Sequence, residues 1–137
     1  MTPWPLFVAF PLALAGSIAL ILTYDVVAAA YARAHPRFHH GNLWPLQFGL
    51  YVVIGFFAMF AVLDLRLVQA IGAITGFVEA TLGWAIAWRF GVARIANPNF
   101  GNVALVVASM TAFGFGLAIA GALLFNLAAG MLMRSHG

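Results

Sequence analysis

The chain has 137 residues, of which 65% are hydrophobic and only 7% charged. A soluble domain of this size runs at ~45–50% apolar and ~25% charged residues, so six basic and three acidic side chains are too few to cover a water-soluble globule. No cysteine or lysine occurs and all six basic residues are arginine, which removes disulfide, thiol-redox, iron–sulfur, thiolate-zinc and Schiff-base chemistry.

In chain order, four continuous apolar segments are predicted at about 5–31, 44–63, 67–88 and 102–133. Each reaches the ~20 residues a helix needs to cross the hydrocarbon core of a bilayer. The runs are continuous rather than alternating, and four strands would not close a barrel, so helices are the expected elements. Residues 1–137 therefore read as one all-α integral membrane domain of four transmembrane helices. Trp4, Trp44, Trp84 and Trp88 fall at or near span ends, where an amphipathic ring prefers the interface. No basic residue precedes the first apolar run, so a cleaved signal peptide is not expected there.

The connections after the first and third spans carry Arg33, Arg37, Arg89 and Arg94, whereas the opposite side carries Arg66 and Arg134. The positive-inside rule then places the two longer loops in the cytoplasm and both termini outside, in a membrane of bacterial inner-membrane type. The net charge of +3 is accordingly a topology signal, and no nucleic-acid partner is expected. Between the second and third spans no Gly or Pro breaks Leu63-Asp64-Leu65-Arg66-Leu67. A single helix from Trp44 to Trp88 would be ~65 Å long, twice the core thickness, so a tight reversal is expected near Asp64–Gln69.

The two long loops resemble one another. Both open on Ala-Arg (Ala32-Arg33, Ala93-Arg94), contain Pro-x-Phe (Pro36 to Phe38, Pro98 to Phe100) and end on Gly-Asn (Gly41-Asn42, Gly101-Asn102). Each joins an odd span to an even one. Two helical hairpins, 1–68 and 69–137, related as a parallel repeat about the membrane normal, would explain the likeness; ordinary turn chemistry is the competing explanation.

Glu79 is the most informative residue. It lies ~18 Å along the third span, near the expected mid-depth, where an acid costs ~2.5–3.5 kcal/mol on insertion scales. Gly72, Gly76, Glu79 and Gly83 follow helical spacing and are expected to form one stripe, with Thr75 and Thr81 as local hydroxyl partners. On the fourth span Gly114, Ala118 and Gly121 form a second small-residue stripe, with Ser109 and Thr111 nearby and Gly114–Ala118 expected level with Glu79. Asp25, near the cytoplasmic end of the first span together with Gln47, reads either as a boundary charge or as a relay leading to Glu79.

His35, His39 and His40 are close enough in sequence to suggest a metal site, but Pro36 prevents a helical pair and no acid in the loop would orient an imidazole. No metal or other cofactor is expected. Walker, His-Glu-x-x-His and Gly-x-Ser-x-Gly signatures are missing. The leading expectation is a small channel or transporter that binds a proton or cation at Glu79, assisted by Asp25. A homo-oligomer is implied, because four helices rarely enclose a wet path. The alternative is a non-catalytic accessory or scaffold subunit, docked through its glycine stripes in a larger membrane complex. A membrane enzyme acting on a lipid-like substrate, with Asp25, Glu79 and the arginines as its only polar machinery, is the third reading. Beyond these partners, only membrane lipids are expected.

Overall fold

The computed structural model describes residues 4–92 and 99–135, apart from the side chains of residues 40 and 41. The described residues are almost wholly helical and contain no strand. Helix α1 spans Leu6–Ala34, α2 Trp44–Val62, α3 Leu65–Val78, α4 Trp84–Arg89 and α5 Phe100–Ser135. A single π-helical stretch, Glu79–Gly83, joins α3 to α4, so that Leu65–Arg89 runs as one 25-residue rod. Four helices are thus long and apolar enough to cross a membrane. Their bounds lie within three residues of those expected.

Each end has a local cause. Pro5 precedes α1, and Pro45 occupies the first turn of α2, where a missing N–H leaves nothing unsatisfied. The rod ends at Gly91, whose φ of +75° suits glycine. The N–H of Gly91 donates to Trp88 O and that of Val92 to Ala87 O, the paired bonds of a Schellman motif. Asn99 opens α5 by accepting from the Asn102 N–H at 2.8 Å.

The reversal between α2 and α3 is tighter and earlier than expected. Leu63 adopts the left-handed region (φ 50°) and closes α2, and Asp64 then caps α3 by accepting from the N–H groups of Arg66 and Leu67. A capping carboxylate and one left-handed leucine replace the glycine or proline a reversal usually uses. Asp64→Ala is therefore expected to destabilise the protein by about 1 kcal/mol. Leu63→Gly is expected to be neutral or stabilising, because it relieves an unfavourable φ. Denaturant unfolding in detergent micelles reads both.

The core combines buried Ile21, Tyr51, Ile54 and Ile71 with close backbone contacts at glycines. Gly72 and Gly76 of α3 lie against the carbonyls of Gly114 and Met110 on α5. Gly55 of α2 lies against Ala118, and Gly121 of α5 lies against the backbone of Val52, Gly55 and Phe56. The α5 stripe Gly114, Ala118, Gly121 and Ala122 is buried and packs on α2 and α3 together. Aromatic pairs fasten the α2–α5 seam, Phe48 tilted on Phe113 and Phe56 edge-on to Phe125, at centroid distances of 5.2 and 5.4 Å. Helix α1 touches α2, α3, the π turn and α4, but not α5 among the described residues.

Around the bundle the order is therefore α1, α2, α5, α3. Helices α1 and α3 are neighbours in that order, so a two-fold axis along the bundle does not relate the two hairpins. The loop likeness itself falls partly on residues 93–98, outside the described residues.

Candidate functional site

Three helical elements converge on Glu79. The π turn begins at this residue and holds it fully buried. Inserting one extra residue into a helical turn changes which faces the two flanking segments present, and such turns recur at functional sites. Here the expected single stripe divides between neighbours. Gly72 and Gly76 face α5, the Glu79 carboxyl turns toward α2, and Gly83 faces α1.

On α2, Gln47 and Tyr51 lie one helical turn apart on one face. Gln47 Nε2 donates to Glu79 Oε1. Tyr51 Oη donates to Glu79 Oε2 at 2.6 Å. Both carboxyl oxygens thus have a donor, and Tyr51 is itself only 1% exposed. From α1, Asp25 completes the cluster. A methyl group placed on Gly83 would overlap Asp25 Oδ2 and lie 3.0 Å from Asp25 Cγ and 3.3 Å from Glu79 Cγ. Gly83 is the gap through which the two acidic side chains approach. Asp25 is 1% exposed, so both acids are interior groups on separate helices.

These contacts set the relative heights of the helices. Gln47 lies in the first turn of α2, so Glu79 is level with that end of α2 and lies close to Asp25. Gly114 is level with Gly72 and Met110 with Gly76, so Glu79 lies beyond Gly114–Ala118 along α5. Asp25 is buried beside Glu79, across Gly83.

The supporting hydroxyls divide. Thr81 Oγ1 donates to Phe77 O and Val78 O, and Thr111 Oγ1 to Val107 O, so both serve their own helices rather than Glu79. Ser109 is half-buried on α5. Thr75 is fully buried one turn before Glu79, and its Oγ1 has no hydrogen-bond partner among the described residues. Sequence reasoning missed Tyr51. Its signal was the Gln47-x-x-x-Tyr51 spacing, which puts two polar groups on one face of an otherwise apolar helix.

The histidines stand apart. The His35 ring stacks on Tyr31 at 4.1 Å, and its Nδ1 lies 3.0 Å from Tyr31 O. His39 is exposed, and the His40 side chain is outside the described residues. No group of three potential metal ligands occurs among the described residues. Chemically, the Glu79 site offers two carboxyls, one amide and one phenol, which can hold and exchange a proton or surround a small cation.

Comparison with family models, with curated proteins and with solved structures finds no match to this chain.

Proposed function

We propose that the chain is a small integral membrane protein that conducts or transports a proton or a small cation, with Glu79 as the binding group and Asp25 as its partner. One observation carries the reading. A fully buried glutamate is fixed at both oxygens by Gln47 and Tyr51 while a second buried acid approaches it across Gly83. A packing role alone would not need two acids on different helices. Interhelical polar contacts in membranes average only ~0.6 kcal/mol, well below the insertion penalty of one acid. Ionisable groups facing a bundle interior most often mark ion or proton pathways.

In this reading the helices lie in an inner membrane, with the two arginine-bearing loops in the cytoplasm and the Glu79 site nearer that side. The outward faces of α1 and α5, carrying Phe7, Leu105, Leu127 and Met131, meet lipid or another copy of the chain. A homo-oligomer supplies the wet path, because four helices rarely enclose one unaided. The test is ion flux into proteoliposomes across imposed proton, sodium and potassium gradients. Flux is expected in the native protein; its absence for all three ions would overturn the reading and bring the accessory role forward.

A further inference from the structure

The site's donors and acceptors narrow the species it takes. A metal-cation site presents lone pairs toward its centre, from carboxylates, carbonyls and hydroxyls whose protons point away. At Glu79 the arrangement is the reverse. The amide N–H of Gln47 and the phenol O–H of Tyr51 both point at the carboxyl, so a metal ion would have to displace two donors to reach it. A proton needs only that one of these donors turn in place, because the 2.6 Å between Tyr51 Oη and Glu79 Oε2 holds a hydrogen but not a metal ion. The Gln47 amide can flip to present its carbonyl, and the Tyr51 hydroxyl can rotate to accept, so the same shell serves a protonated and an ionised Glu79.

The neighbouring groups agree. The titratable or polar side chains next to Glu79 are Asp25 from α1 and Gln47 and Tyr51 from α2, with Thr75 buried one turn earlier on α3. From α5, the residues packed on α3 next to the site are Met110, Thr111 and Gly114, none of them titratable. Asp25 and Glu79 both reach the Gly83 position, and one proton held between neighbouring acids removes their like-charge repulsion. Thr75 adds a separate observation. Its hydroxyl is fully buried, has no protein partner among the described residues, and shares the Glu79 face one turn away. A hydroxyl there can pass on or receive a hydrogen-bonded proton, whereas to a metal ion it offers a single neutral ligand.

We infer that the species bound at this site is a proton rather than a metal cation, shared between Glu79 and Asp25, with Gln47 and Tyr51 setting that selectivity. The inference rests on the transport reading above and narrows its cargo.

The experiment is infrared spectroscopy of the lipid-reconstituted protein, following the protonated-carboxyl C=O band through a pH titration. The chain has only three acidic residues, and Asp64, exposed at the α2–α3 turn, serves as an internal control. In the native protein the Glu79–Asp25 band is expected to titrate in two separated steps. It is also expected to be unchanged by sodium, potassium, calcium or magnesium at fixed pH. Glu79→Gln and Asp25→Asn should each collapse the two steps into one. Should either variant fail to fold, Tyr51→Phe tests the same point. It is expected to shift the band frequency and to slow proton flux about tenfold, through loss of one hydrogen bond to a charged group. A band that disappears on adding a metal ion at constant pH would overturn the inference, as would steps that merely sum those of the single variants. Sodium or potassium flux accompanied by displacement of the band would sink the proton assignment and leave transport standing. Two-step titration without flux of any ion would do the opposite.

Discussion

Glu79→Leu is expected to lower stability by roughly 2–5 kcal/mol, the range for orphaning one partner of a buried polar or charged network. Leucine fills most of the volume but accepts nothing. The Gln47 amide and the Tyr51 hydroxyl, both aimed at the missing carboxyl, would then be left as donors in an apolar interior. Asp25 would lose the polar neighbour it meets across Gly83. Glu79→Gln should be milder, at about 1 kcal/mol, because its carbonyl still accepts from one of the two donors. Unfolding in mixed micelles, with circular dichroism or intrinsic fluorescence as readout, measures the series. If Glu79→Leu proved as stable as the native chain, the hydrogen-bonded shell around Glu79 would not exist in the folded protein.

A second large effect is expected on the opposite face of the same rod and its partner helix. Gly121→Val places a branched side chain against the backbone of Val52, Gly55 and Phe56, and Gly72→Val does the same against Gly114. Neither neighbour is a flexible side-chain tip that could swing away. The helices must separate, so a loss of about 3 kcal/mol is expected, at the upper end for overpacking. Gly16, Gly49, Gly116 and Gly130 are controls of the same residue type, because a Cβ there meets nothing within 4 Å. Alanine at those four sites should be neutral or mildly stabilising through helix propensity. Comparable losses at Gly121 and Gly116 would show that the α2–α5 seam is not the tight contact described here.

Much of this arrangement was legible in the sequence, and the exceptions have definite causes. The four helices follow from continuous apolar runs long enough to cross a bilayer, and their ends lie within three residues of those expected. The α5 stripe was visible at helical spacing and is the stripe that packs. The reversal falls at Leu63–Asp64, at the start of the expected Asp64–Gln69 stretch, because it uses neither glycine nor proline. An aspartate two residues before an exposed arginine was in fact the cap. Glu79 was legible as an isolated acid, but its company was not. Counting residues from each helix start assumes that all helices begin at one level. Helix α2 meets Glu79 within its first turn, so Gln47 and Tyr51 reach a group expected at mid-depth. The π turn has no residue signature in Glu79-Ala80-Thr81-Leu82-Gly83, yet it is where the expected single stripe divides between α5, α2 and α1. The order of helices around the bundle is set by which small residues meet, not by loop length, and was beyond single-sequence reasoning.

The most direct test of Glu79 as the working group is proton flux into proteoliposomes, comparing the native chain with Glu79→Gln at matched folding and incorporation. The variant keeps the shape and one hydrogen bond of the native side chain but cannot exchange a proton. Flux in the native protein that falls to the level of empty liposomes in Glu79→Gln is the predicted result. Undiminished flux in Glu79→Gln would contradict it and move any pathway away from this site.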